Sequence, residues 1–273
     1  MQREIIRYPV NNPTLKKYIK FFWSFQVDQL EMNHKLIPQR NINLRFNLSE
    51  TPHYLSINGD QHMLEKVYFS GIHDHFTNVH LKLSGSVDTL GICFYPEGFY
   101  PFMKIPISEF KNQLLGAGEV GYKLSSSIRE HLITVDDINL RLDILESELL
   151  KLLIHNNVFS DNFSKIFNEL KNSETPGNIS DFCKKHNICL RKLERMYNKY
   201  VGVSANTYST LNRFHISLNR MLYTDFSKLS DLAYDYGYFD QMHFIKDFKR
   251  FTGDTPKSFV NQNNSILQIG KLT

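Results

Sequence analysis

Cysteine is scarce in this chain. Its three, Cys93, Cys183 and Cys189, form no CxxC pair and are too few for a disulfide framework. No stretch reaches the ~18 uninterrupted apolar residues of a membrane helix, and the opening Met1-Gln2-Arg3-Glu4-Ile5-Ile6-Arg7-Tyr8-Pro9 lacks the apolar run of a signal peptide. Gly-rich phosphate loops, nucleophile elbows and paired carboxylates are also missing. The expectation is a soluble, cytoplasmic protein with no membrane partner, no enzymatic activity and no cofactor.

What is present is ordinary globular material. Of 273 residues, 41% are hydrophobic and 13% aromatic, enough to fill two cores and to exclude disorder. Net charge is only +4, but it is unevenly placed. Residues 173–262 hold 13 Lys and Arg against 9 Asp and Glu, while the rest holds 19 of each sign. The excess sits where a polyanion would be met.

Residues 1 to about 120 read as mainly strand. Ile42 to Leu48 alternates apolar and polar residues, the signature of a half-buried strand. Tyr54–Ile57, Val67–Phe69, Val79–Leu83 and Leu90–Phe94 continue the theme, with turns expected at Asn58-Gly59-Asp60, Ser84-Gly85-Ser86 and Pro96-Glu97-Gly98. An antiparallel barrel or sandwich would close such strands.

Helical periodicity follows. Ile138, Leu142, Leu145, Leu149 and Leu152 are spaced 4-3-4-3, either a face packed on the chain's own sheet or a homodimer seam. Phe159, Phe163, Ile166, Phe167 and Leu170 form a second apolar face. The polar run from Lys171 to Asn178, with Pro176-Gly177, is taken as a boundary between residues 1–172 and 173–273.

Beyond it a pattern occurs twice. Ile179, Phe182 and Cys183 are apolar at helical spacing, Asn187 suits a tight left-handed turn, and Leu193, Met196 and Tyr197 mark the inner face of a second helix. Leu229, Leu232 and Ala233, then Gly237, then Phe244 and Phe248 repeat it, with Tyr238 in the place of Ile188 and one extra residue in the second turn. Val203 to Tyr223 supplies a long helix between the units. Two helices about a short turn, the second basic on its outer face, is the helix-turn-helix pattern, whose second helix fits the major groove of DNA.

Residues 178–260 resemble the DNA-binding domain of AraC/XylS-type bacterial transcription regulators. Leu232 to Arg250 matches the family's A-x-x-x-G-F/Y-x-D-x-x-x-F-x-R/K-x-F-K-R signature, and Phe251 to Pro256 its F-G-x-T-P close. Cys189 to Tyr197, then Gly202-Val203-Ser204, fit the first unit, with Cys189 for Ser, Ala205 for Pro and Asn187 for Gly. The resemblance implies two recognition helices in successive major grooves. It places Arg191, Lys192, Glu194 and Arg195 on the first, with Arg suited to guanine and Glu to cytosine. Arg195 could instead serve the backbone or an internal carboxylate. On the second, Gln241, Met242 and Lys246 are the candidate base readers, and Lys249 and Arg250 candidate phosphate contacts. Asp240 is expected to cap that helix. His243 meets phosphate or packs, while Phe239, Phe244, Phe248, Phe251, Tyr234, Tyr236 and Tyr238 are read as packing.

The first half resembles the cupin-like sensor domain often found ahead of this DNA-binding domain, through Tyr8-Pro9, Pro13, Leu15, Tyr18, Phe22-Trp23, Ile37-Pro38 and Gly91 to Gly98. The implied fold is α+β: an antiparallel, cupin-like sheet with a helical linker from about 125, then an all-α double helix-turn-helix. The implied partners are double-stranded DNA, a small-molecule effector, a second copy of the chain, and RNA polymerase if the protein activates. His73, His75 and His80 leave one rival open, a metal-dependent cupin enzyme or metal sensor fused to a DNA-binding domain. Pro101 stands where such a site would want a further His, and no metal is assigned.

Overall fold

The structure is a computed structural model that describes residues 5–118, 126–156, 161–172, 179–223 and 228–262. Phe159, residues 173–178 of the expected boundary, and the chain beyond residue 262 lie outside them.

Eight antiparallel strands open the chain: β1 (Ile6–Tyr8), β2 (Ile19–Lys35), β3 (Ile42–Asn47), β4 (His53–Ile57), β5 (Asp60–Met63), β6 (Val67–Ser70), β7 (Val79–Phe94) and β8 (Leu114–Gly116). Their order is β1-β2-β7-β3-β6-β8. The long β7 also pairs through its first residues with β4, which forms a hairpin with β5. Asn58 and Gly59 close that hairpin with φ of 52° and 102°, the positive values a two-residue turn requires.

Ser84-Gly85-Ser86 does not form a turn. β7 runs through it, and Gly85, at φ 104°, lies at a register shift against β2 between Val27 and Leu30. A glycine with positive φ can bulge and bend a strand without ending it. The expected half-buried β3 is also corrected, since all six of its residues are buried. Ile42, Leu44 and Phe46 join the main core on one face. Asn43, Arg45 and Asn47 point the other way, into the interior of the sheet domain, where Arg45 pairs in register with Gly91 and Tyr68.

Helix α1 (Tyr100–Met103) lies between β7 and β8, and α2 (Ser126–Ile133) and α3 (Ile138–Asn156) follow the sheet. The heptad-like stripe of α3 is consumed by the chain itself: Leu142, Leu145 and Leu149 are buried in the main core, with Ile138 and Leu152 packed beside it. It is therefore not available as a homodimer seam. Arg141 fixes α3 to the sheet by an ion pair with Asp88 at 3.1 Å, and Glu146 accepts the Asn11 and Asn12 N–H groups.

The remaining helices are α4 (Asp161–Asn172), α5 (Ile179–Lys185), α6 (Leu190–Tyr200), α7 (Ala205–Tyr223), α8 (Leu229–Asp235), α9 (Gln241–Thr252) and α10 (Pro256–Gln262). On α4, Phe163 and Phe167 are fully buried against Tyr197, Tyr200 and Tyr208 of α6 and α7, with ring centroids 4.7–5.7 Å apart. One apolar core runs from Val10 in the sheet domain to Phe259 in α10. No helix among the described residues is long and apolar enough to cross a membrane.

Candidate nucleic-acid interface and interior cavity

The two helix-turn-helix units form for local reasons. Asn187 turns between α5 and α6 at φ 49°, and Gly237 between α8 and α9 at φ 70°. Asn and Gly tolerate that region where a β-branched side chain would be strained. The apolar repeat agrees position by position: Ile188, Leu193 and Tyr197 are buried in the first unit, and Tyr238, Phe244 and Phe248 in the second.

The helix starts differ. Asp240 caps α9 by accepting the His243 N–H at 2.7 Å, whereas Cys189 makes no side-chain cap for α6. A thiol is a poor substitute for a capping oxygen. Farther on, Ala205 stands where a proline would need no partner, and its N–H is taken by Glu194 Oε2 at 3.3 Å. Glu194 is half-buried, so its carboxylate closes the first turn of α7 in this structure rather than pointing outward.

Arg191, Lys192 and Arg195 are exposed on α6, and Gln241, Met242, Lys246, Lys249 and Arg250 on α9. They leave two outward faces bearing donors and positive charge, the chemistry that meets base edges and phosphates. His243 is half-exposed, stacked edge-on to Tyr238 and 3.8 Å from Asp247. Two aromatics depart from expectation. Phe239 is 85% exposed and Tyr234 65%, not packed. Phe239 lies in the longer second turn, just before the cap, where the extra residue has no inward position. The other named aromatics, Tyr236, Tyr238, Phe244, Phe248 and Phe251, do pack.

The sheet domain holds a cavity of about 510 Å³, within the ~300–1,000 Å³ usual for small-molecule sites. Its walls come from residues 36–39, the loop before β7 and residues 112–115, with Arg45 and Ser70 inside. His73 lines it, and burial pulls its pKa down although the ring contacts the Gly71 carbonyl at 3.0 Å. Nearby, burial pushes the Asp74 carboxyl up, but hydrogen bonds from Lys111, His75 and Asn112 outweigh that and hold it well below the usual range. His73 and His75 lie in a loop, not on a strand that alternates inward. No group of three or more His, Cys, Asp or Glu that could hold a metal occurs among the described residues.

Residues 182–262 match the model of a helix-turn-helix domain family, and residues 11–116 that of a domain of unknown function, DUF6597. The chain carries an AraC-type helix-turn-helix domain. It is a DNA-binding transcription regulator. No curated protein matches it. Among solved structures, ToxT from Vibrio cholerae is similar at 12% identity and a TM-score of 0.47, over 89% of this chain and 98% of that one. A second ToxT structure, of the wild-type protein from strain SCE256 with an unsaturated fatty acid bound, gives 13% and 0.46 over 89% and 94%. The AraC-like transcriptional activator CuxR gives 8% and 0.23 over 74% and 83%.

In this regulator the DNA-binding helices dock on the walls of the cavity. The Pro38 carbonyl meets His215 Nε2 of α7 at 2.8 Å, and Arg40 donates to Asn212 at 2.7 Å. His215 is buried, and that burial, aided by Arg40, pulls its pKa down to about 3, so the ring is neutral and donates from Nε2. On the far side the Phe76 N–H donates to the Arg250 carbonyl at 2.8 Å, and a Cβ at Gly253 would fall 2.7 Å from the Phe76 ring.

Sequence reasoning missed a strut between the two units. Arg213 of α7 bonds Asp247 of α9 at 3.1 Å and the Gly237 carbonyl at 3.3 Å, and its guanidinium lies 4.3 Å from the Tyr238 ring. The signal was available in the charge of Asp247 on an otherwise apolar helix face. A buried carboxylate needs a cation.

Proposed function

We propose that this regulator reads DNA with α6 and α9 in successive major grooves, and that a small molecule in the sheet-domain cavity biases how those helices are presented. Arg191, Lys192, Arg195, Gln241, Met242 and Lys246 are the reading set, with Lys249 and Arg250 on phosphates. Glu194 reads a base only if its bond to Ala205 opens, and His243 contributes through its exposed edge. The observation that carries the switching half is that residues 36–40 and 73–79 each border both the cavity and the DNA-binding helices. A ligand with different affinity for two arrangements of those segments would shift DNA binding by that difference.

The division of labour proposed is sheet plus α1–α3 for sensing and α4–α10 for DNA. Packing of Phe163 and Phe167 on Tyr197 and Tyr208 supports assigning α4 to the DNA-binding side, ahead of a boundary at residue 172. A second copy of the chain and RNA polymerase remain the protein partners of this reading. No catalytic step is assigned.

Selection of duplexes from a random library by the full-length protein, near physiological salt, tests the reading. The expected result is two short sequence blocks about 10 bp apart centre to centre. A single block would overturn the two-reader arrangement, and a doubled motif would mean that two copies bind.

A further inference from the structure

Arg45 is the anomaly of the sheet interior. It is 9% exposed, lies on the inward face of β3 and borders the cavity. Its guanidinium has five N–H donors, yet among the described residues its one hydrogen bond is a long one, 3.4 Å to the Asn43 carbonyl. The Tyr68 and Trp23 rings stand 5.7 and 5.9 Å away, at the outer limit of about 6 Å for a cation over a ring. No carboxylate pairs with it among the described residues, and no Asp or Glu lines the cavity. A buried cation is costly to leave unpaired, and an apolar residue of the same volume would suit a purely structural interior better.

Other polar groups around it are likewise unmatched. The indole N–H of Trp23 and the side-chain carbonyl of Asn43 are buried without hydrogen-bond partners. The remaining walls include Leu36, Ile37, Leu55, Ile57, Val79 and Leu114. From this arrangement we infer that the cavity takes an organic monocarboxylate with an apolar body, its carboxylate gripped by Arg45. One planar guanidinium matches one carboxylate through two parallel bonds. A phosphate dianion would want a second cation, and among the described residues Arg45 is the one Lys or Arg lining the cavity. The inference rests on reading the cavity as the effector site.

Trp23, the chain's one tryptophan, reports on the site by its fluorescence. Full-length protein is titrated with decanoate and 2-naphthoate, and with decan-1-ol as the uncharged counterpart. The expected result is binding of at least one carboxylate, weakened about 30-fold or more in Arg45→Met, as for truncating one partner of a buried charge pair. Arg45→Lys, which keeps the charge but not the two-bond fork, should bind between wild type and Arg45→Met, and decanol should not distinguish Arg45→Met from wild type. Binding of neither carboxylate, or equal binding by wild type and Arg45→Met, overturns the inference. Thermal melting gives an independent check: Arg45→Met should melt no lower than wild type without ligand, and a large drop would mean that Arg45 serves packing instead. A carboxylate bound through Arg45 that leaves DNA affinity unchanged would keep this inference and remove the switching function. DNA affinity that responds to a ligand indifferent to Arg45 would do the reverse.

Discussion

Arg45 and Trp23 face each other across Gly91. The sheet register pairs Gly91 of β7 with Trp23 of β2 on one side and with Arg45 of β3 on the other, and the guanidinium carbon lies 5.9 Å from the indole ring. The missing side chain makes this possible, because a Cβ at Gly91 would fall 2.0 Å from the Trp23 ring. A polar strand residue thus comes to border a cavity instead of solvent.

Gly91→Ala should therefore be costly although the change is one methyl group. The ring must move, and overpacking of this kind costs about 1–3 kcal/mol. A lowered urea midpoint together with a shifted Trp23 emission maximum is the expected result. An unchanged emission spectrum would mean that the indole does not rest on that glycine.

The reader assignment separates by the pattern of loss. Lys246→Ala and Gln241→Ala should each relax preference at particular base positions, by about 1–3 kcal/mol of discrimination. Lys249→Ala should weaken all sequences alike and reduce the salt slope by about one. Competition binding against single-base variants of the selected site distinguishes the two behaviours. Equal, sequence-independent losses from all three would remove the reading roles.

The double helix-turn-helix was legible because its determinants are local. A left-handed turn residue at Asn187 and Gly237, followed by an apolar spacing, specifies each unit with little help from elsewhere. The errors came where a residue's meaning depends on distant chain. Gly85 looks the same in sequence whether it closes a hairpin or bulges a strand, and only the pairing of β2 along β7 decides. Alternation in β3 shows two faces without showing that the polar one is covered, which hides the burial of Arg45. Phe239 looks like core in a sequence crowded with aromatics, yet the longer second turn leaves it outside.

The Arg213–Asp247 strut predicts a coupling between the connecting helix and the second reader. Asp247 is 8% exposed, so Asp247→Ala leaves a largely buried guanidinium unpaired, a loss of roughly 3 kcal/mol. Arg213→Ala should cost a similar amount, and the double variant less than the sum, since the second change removes a partner already lost. Denaturation midpoints of the four proteins check this. Additive losses would mean that the pair does not act as a unit.

Acid should loosen the protein through its buried histidines. Burial, with Lys66 and Arg45 adding to it, lowers the pKa of His53 to about 4, and burial with Arg40 lowers that of His215 to about 3. Both rings are neutral in the fold, where His53 Nδ1 meets the Tyr68 hydroxyl at 3.0 Å and His215 Nε2 meets the Pro38 carbonyl. In the unfolded chain they take up a proton near the ordinary value of about 6.5. Their folded values are depressed, so the unfolded state binds more protons over the intervening range. Stability should be fully present above pH ~6.5 and fall as pH drops toward 4 and then 3. Denaturation midpoints between pH 7.5 and 4.5 measure the slope. His215→Gln should flatten it by about one proton, because a neutral amide can still reach the Pro38 carbonyl without a charge to gain. An unchanged slope would mean that His215 protonates as readily in the folded state, and that its seat between the cavity wall and α7 is open to water.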